Sequence, residues 1–216
     1  MRNWNFKWAG SHVVLPAAAW LALTAAAQVP GQHHPPQSSD EYAKVLEDPS
    51  RDEWQKPHEV ATYLKIAPTD VIADIGAGTG YFARRFALHA AKVYAVDIDP
   101  ALLAIAAKSA PSNLITVVAK PDDPTLPASS VDLVFFCDVL HHLENRPAYL
   151  RKLKAILKPG GRIVTVDFYK KPLPVGPPET MKLSEDQIIA EFQEAGFQFS
   201  KKATFLPYQY VLEFRQ

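Results

Sequence analysis

The chain has 216 residues, a size that suits one α/β domain plus a short extra piece. With 48% hydrophobic residues it can bury a sizeable core and lacks the composition of a disordered chain. Basic and acidic residues balance at 23 each, so there is no basic field to attract nucleic acid, and one cysteine, Cys137, excludes an internal disulfide or a cysteine-based metal cluster.

Residues 1–27 read as a secretory signal peptide. Arg2 and Lys7 give a positive start, Val13 to Ala27 is almost wholly apolar, and Ala25-Ala26-Ala27 supplies small residues at the exit. The apolar run is about 15 residues, short of the ~20 that span a bilayer. Export to a periplasmic or extracellular space is therefore expected, with no stable membrane span once the signal is removed; an uncleaved N-terminal anchor is the alternative. No cysteine follows the run to carry a lipid. Residues 28–39, rich in Pro, Gln and His, read as a flexible linker, in which His33 and His34 are solvated. Residues 40–216 form the folded domain.

Within it, Asp40 to Leu64 has helical spacing, and Pro49 and Pro57 divide it into two short helices. Val71–Ile75 is a buried strand ending in glycines. Tyr81 to His89 follows as a helix. Val93–Val96 is a second strand, and Pro100 opens a helix through Leu102, Leu103 and Ala106. Leu114–Val118 and Val131–Cys137 are the third and fourth strands, with Cys137 expected as a small core residue. Asn145 caps a helix carrying the stripe Tyr149, Leu150, Leu153, Ile156 and Leu157, which Pro159-Gly160-Gly161 stops. Ile163–Val166 is the fifth strand. Ser184 to Gln187 is a capping box for a helix ending at Gly196, and Phe197 to Phe199 with Tyr208 to Phe214 close the chain as two strands. The expected fold is α/β: Rossmann-like, a mostly parallel seven-stranded sheet with helices on both faces. In such sheets ligands bind beyond the carboxyl ends of the strands.

The first strand ends in Asp74-Ile75-Gly76-Ala77-Gly78-Thr79-Gly80. Alternate glycines let the backbone turn sharply and approach a ligand. The spacing differs from the G-x-G-x-x-G of dinucleotide sites, and the preceding acid would repel a pyrophosphate but attract an ammonium. The second strand ends at Asp97, at the ~20-residue spacing that places a carboxylate on ribose hydroxyls. Ile98 could pack on an adenine, and Asp99 caps the helix at Pro100.

At these residues the chain resembles the Rossmann-type S-adenosylmethionine-dependent methyltransferases, in particular the small-molecule group that includes the quinone-biosynthesis enzymes. Four stretches carry the likeness: Ala73 to Gly80, Ala95 to Ile98, Val134 to Leu143, and Leu157 to Arg162. The resemblance implies S-adenosylmethionine as cofactor. Asp74 with Gly76, Ala77, Gly78 and Gly80 would hold its methionine part, and Asp97 its ribose. Asp122 stands where relatives place an acid on adenine, although Lys120-Pro121 departs from the usual glycine there. Asp138, after the fourth strand, would line the reactive side.

Methyl transfer from a sulfonium needs alignment and at most proton removal, so no catalytic triad is expected. His141 and His142 are the candidate bases, because they follow the fourth strand and imidazole titrates near neutrality. Trp54, His58, Tyr81 and Tyr169 are candidate acceptor-pocket residues, and the proline-rich stretch Tyr169 to Met181 a loop beside the acceptor. No resident metal is expected. One cysteine excludes a thiolate-held arsenic acceptor, and the absence of an Asn-Pro-Pro-Tyr-like element argues against amide or adenine methylation of nucleic acid. A small-molecule or lipophilic acceptor remains. The alternatives are a non-catalytic protein that binds S-adenosylmethionine or a nucleoside, and a nicotinamide-dependent oxidoreductase.

Overall fold

The computed structural model describes residues 38–108 and 110–216. The signal peptide and most of the linker expected from the sequence lie outside the described residues. Three helices lead in: α1 (Ser39–Leu46), α2 (Arg51–Gln55) and α3 (Pro57–Leu64). The sequence suggested two, with Pro57 as a break. Pro57 instead takes the first position of α3, where its missing N–H has no bond to lose, and Lys56 makes the sharp turn between α2 and α3 with φ 45°.

The sheet then alternates with helices: β1 (Val71–Ile75), α4 (Ala83–Phe86), β2 (Lys92–Asp97), α5 (Pro100–Lys108), β3 (Leu114–Val118), β4 (Val131–Cys137), α6 (Arg146–Ile156), β5 (Leu157–Phe168), α7 (Glu185–Glu194), β6 (Gln198–Ala203) and β7 (Gln209–Arg215). Seven strands order as β3-β2-β1-β4-β5-β7-β6. The pairs among β1 to β5 are parallel, and β7 runs antiparallel to both β5 and β6. Strand order reverses between β1 and β4, the kind of switch point beyond whose carboxyl ends such sheets bind ligands.

Side chains alternate across the sheet into two apolar layers. Val134 and Phe136 face the layer of α6 and α7, with Leu150, Leu153, Ile188 and Phe192; Leu133 and Phe135 face the layer of α3, α4 and α5, with Val60, Phe86 and Leu103. Helices therefore cover both faces, as expected.

Two elements differ from the sequence expectation. The helix expected over Tyr81 to His89 is regular only across Ala83–Phe86, because the amides of His89 and Ala90 both return to the Phe86 carbonyl at 2.9 and 3.0 Å and close it early. Pro159-Gly160-Gly161 ends α6 but lies inside β5. Val131 pairs with Leu157 and Leu133 with Arg162, so the extra residues bulge out, Gly160 taking φ 79°.

Candidate functional site

The glycine loop follows β1 with Gly76, Gly78 and Gly80 all at positive φ, a backbone that other residues resist. At Gly76 space is also decisive: a Cβ would lie 2.2 Å from a Val139 methyl. The amides of Gly76 and Ala77 donate to Val96 O at 2.8 and 3.0 Å, which ties the loop to the end of β2. Asp97 completes that link. Its Oδ2 accepts from Gly78 N at 2.7 Å and its Oδ1 from Asp99 N at 2.9 Å, so each oxygen keeps a lone pair for a further donor. Asp99 caps α5 through Ala101 N at 2.8 Å, as the sequence indicated, and also accepts from Ser39 Oγ of α1 at 2.7 Å.

Asp74 is buried beneath the loop. Burial pushes its carboxyl up to about 8, against the pull of a backbone bond from Ala83 and of Arg51. Burial also raises Asp97, opposed by the amides of Asp99 and Gly78.

Asp138 leaves β4 in the left-handed region, φ 60°. Two fully buried carboxamides grip it: Gln209 Nε2 donates to Oδ1 at 2.6 Å and Gln55 Nε2 to Oδ2 at 2.9 Å. Desolvation, then the charge of Asp167, push its carboxyl up to about 6. Cys137 packs against the apolar layer, yet its Sγ accepts from the same Gln55 amide at 2.8 Å, so it forms part of the site floor as well as of the core.

Beside Asp138, His141 Nδ1 lies 3.5 Å from Asp167 Oδ1, with side chains 4% and 0% exposed. Asp167 is the penultimate residue of β5, and its Oδ2 is buried without a hydrogen-bond partner among the described residues. Burial alone would lower the imidazole; the bond and charge of Asp167 outweigh it, and His141 is raised above its usual value. His142 is exposed and stacks on His141 with centroids 4.2 Å apart. Trp54 packs on Phe168 and Tyr208, at 5.6 and 6.5 Å, and Tyr169 meets Tyr210 edge-on at 5.8 Å. The proline-rich loop folds back here, with Gly176 against the Phe168 ring.

Helices α1 and α2 form a strap beside the glycine loop. Glu47 pairs with Arg84 at 2.8 Å and Asp52 with Arg85 at 3.2 Å, while the Tyr81 hydroxyl donates to Asp52. Leu46 lies over Gly78, where a Cβ would meet its δ-carbon at 2.8 Å.

The structure thus places Asp74, Gly76, Ala77, Gly78, Gly80, Tyr81, Asp97, Asp138 and His141 at or just beyond the carboxyl ends of β1, β2 and β4, with Trp54 on the neighbouring helix α2. It does not gather all that the sequence suggested. Asp122 is held at the surface by Lys152 at 3.0 Å with its side chain 80% exposed. His58 is exposed on α3, whereas Ile98 stays beside Asp97 at the end of β2 with its side chain 60% exposed. Sequence reasoning missed Arg51, Gln55, Asp167 and Gln209. Asp167 carries a readable signal, an acid directly after a strand's apolar run, as at Asp97 and Asp138; the two glutamines carry none.

The chain is similar to methyltransferases in sequence and in fold. Residues 73–165 match the methyltransferase domain family. The chain is 32% identical over 107 residues to demethylmenaquinone methyltransferase of Tropheryma whipplei (strain Twist), covering 49% of this chain and 44% of that protein. It is 28% identical over 153 residues to a probable S-adenosylmethionine-dependent methyltransferase of Mycobacterium tuberculosis (strain ATCC 25618 / H37Rv), covering 67% and 55%. The chain spans about half the length of these curated relatives. The crystal structure of a methyltransferase from Aquifex aeolicus superposes with TM-score 0.77 at 23% identity, covering 82% of this chain and 97% of that one, a likeness of fold.

Proposed function

We propose that the protein transfers a methyl group from S-adenosylmethionine to a small-molecule or lipophilic acceptor. The observation that carries the reading is a set of three carboxylates at the ends of neighbouring strands, Asp74 of β1, Asp97 of β2 and Asp138 after β4, beside a loop of three positive-φ glycines at the sheet's switch point. A buried acid under the loop opposes a pyrophosphate and suits an ammonium, and the spare lone pairs of Asp97 suit two ribose hydroxyls. These residues fit the cofactor. When bound, it supplies a methyl carbon already activated by a positive sulfur.

The chain's own work is then alignment, exclusion of water and handling of one proton. Asp74 gives up its proton to meet the ammonium. The aromatic group Trp54, Phe168 and Tyr208 walls the acceptor side. With Nδ1 turned to Asp167, His141 presents Nε2 to the acceptor and takes its proton, and the Asp167 carboxylate stabilises the imidazolium that forms. The likeness to demethylmenaquinone methyltransferase supports a lipophilic acceptor, and the balanced charge argues against nucleic acid. Incubation with methyl-labelled S-adenosylmethionine and a panel of phenols, quinones and amines tests the reading. Label on an acceptor supports it; tight binding with no transfer to any member favours the non-catalytic alternative.

We propose also that residues 1–27 direct export. Mass spectrometry of the protein from its native membrane-free and membrane fractions checks this: a chain beginning at Gln28 supports cleavage, and one retaining residues 1–27 in the membrane fraction supports an anchor instead.

A further inference from the structure

We propose that Lys182 reads the acceptor: its ammonium holds the oxygen of a phenol or enol as that oxygen gives up its proton, so that a hydroxyl on a flat ring, and not an amine, is the group accepted. The proposal rests on the methyl-transfer reading above and deepens it by naming the acceptor class.

Burial is the first argument. Lys182 is 2% exposed and is the one buried cation among the described residues. Lysine is almost never buried that far without a counter-charge. Lys152, Lys158, Lys201 and Lys202 each reach a carboxylate, whereas Lys182 makes no ion pair among the described residues. Its Nζ donates to Lys171 O at 2.9 Å, a neutral carbonyl. An ammonium has three N–H groups, so two remain for a ligand. Burial pulls its ammonium below the usual lysine value, opposed by the charges of Glu179 and Asp167. Tying the loop at Lys171 does not require this, because a neutral donor serves a carbonyl without the cost of burying a charge.

Place is the second. Lys182 follows the proline-rich stretch, and its Nζ lies 5.7 Å from the ring centroid of Phe168, the last residue of β5. Phe168 packs on Trp54, which also meets Tyr208. Phe168 and Trp54 belong to neither of the two apolar layers, so core packing does not account for this aromatic group. The residue before Phe168 is Asp167, the partner of His141. Adjacent residues of β5 thus lead to a buried cation and to a base, with flat aromatic surface beside them.

Charge is the third. A cation over Phe168 repels an ammonium and attracts an anionic oxygen. A carboxylic acid has already lost its proton at neutral pH and gives His141 nothing to take, whereas a phenol or enol still carries one. The hydroxyl proton passes to His141 Nε2, and the electron pair stays on the oxygen facing Lys182 Nζ. That pair then forms the bond to the methyl carbon as the carbon's bond to sulfur breaks. Lys182 stays protonated throughout.

The full chain, saturated with S-adenosylhomocysteine, is titrated with para-nitrophenol, para-nitroanisole and para-nitroaniline, with absorbance read at a pH below the free phenol's own ionisation. The parent should bind the phenol and bring up its phenolate band, and should bind the aniline more weakly. Lys182→Met should weaken the phenol by about tenfold or more, lose the band, and leave the anisole within about twofold. Lys182→Gln keeps a neutral donor near Lys171 O and should behave as the Met variant does; it decides the matter if a thermal melt shows the Met variant unfolded. A phenolate band unchanged in the variants overturns the proposal. Equal weakening of phenol and anisole overturns it in favour of a structural clasp, and tighter binding of the aniline by the parent overturns the acceptor class. A parent that binds S-adenosylhomocysteine but none of the three probes overturns the proposal and leaves the cofactor reading standing; one that does not bind S-adenosylhomocysteine refutes the cofactor reading and the proposal with it.

Discussion

Replacing Gly76 by alanine separates two physical costs at the glycine loop, and Gly160 supplies the control. Both glycines sit at nearly the same positive φ, 73° and 79°. A Cβ at Gly160 would meet nothing within 4 Å, whereas at Gly76 it would lie 2.2 and 2.9 Å from the two Val139 methyls. Gly160→Ala therefore carries only the left-handed backbone penalty, ~1–2 kcal/mol. Gly76→Ala adds an overpacking cost of ~1–3 kcal/mol, for ~2–5 kcal/mol in all. Urea unfolding of both variants reads the difference directly from the midpoints at constant slope. Val139→Ala in the Gly76→Ala background should recover ~1–3 kcal/mol, a coupling of the size seen between touching residues. If the two glycine variants lose equal stability, or the second substitution recovers nothing, β4's exit does not press on the loop as described.

Three other outcomes follow from the site. Asp97→Ala should weaken S-adenosylhomocysteine binding by ~1.5–3 kcal/mol, the worth of hydrogen bonds to a charged group, with a thermal melt confirming that the loop it ties remains folded. Asp74, raised to about 8, keeps a proton in the folded state that the unfolded chain releases above its ordinary value near 4, so this group's contribution to stability is full at low pH and is lost as pH rises through about 8. Asp74→Asn should flatten that part of the stability profile, and near pH 7 ligand binding to the parent should release close to one proton, read from the dependence of calorimetric heat on buffer. Asp167→Asn removes the group that raises His141, so the imidazole titration followed by NMR should move to lower pH. Turnover should fall by ~10²–10⁴ while S-adenosylhomocysteine binding holds; an unmoved titration would dissociate Asp167 from His141.

Much of this was legible in the sequence because the informative residues follow strands. Val71–Ile75, Leu114–Val118 and Val131–Cys137 are short apolar runs that appear at those bounds in the structure, and the first and last lead directly into the glycine loop and Asp138. The caps of α6 and α7 were likewise local: Asn145 and Ser184 each accept from an amide three residues on. What was not legible depends on distant packing. Gln55 and Gln209 meet Asp138 across sequence separations of 83 and 71, and nothing in either one's neighbourhood marks it. Arg51 likewise meets the Tyr81 ring only through the packing of α2 against the exit of the glycine loop. Asp122 shows the opposite failure: position after a strand suggested an adenine contact, but Lys152 on α6 offers a nearer surface partner. Pro159-Gly160-Gly161 reads as a stop in sequence, and only the pairing of β4 with β5 reveals the bulge.

The central claim is that the site beyond the carboxyl ends of β1 and β4 binds S-adenosylmethionine. Calorimetric titration of the full chain with S-adenosylmethionine, S-adenosylhomocysteine and NADH tests it most directly. The account predicts micromolar binding of the first two and none of the third. Binding of NADH alone would contradict it and restore the oxidoreductase reading, and binding of none would show that the three carboxylates and the glycine loop serve another ligand.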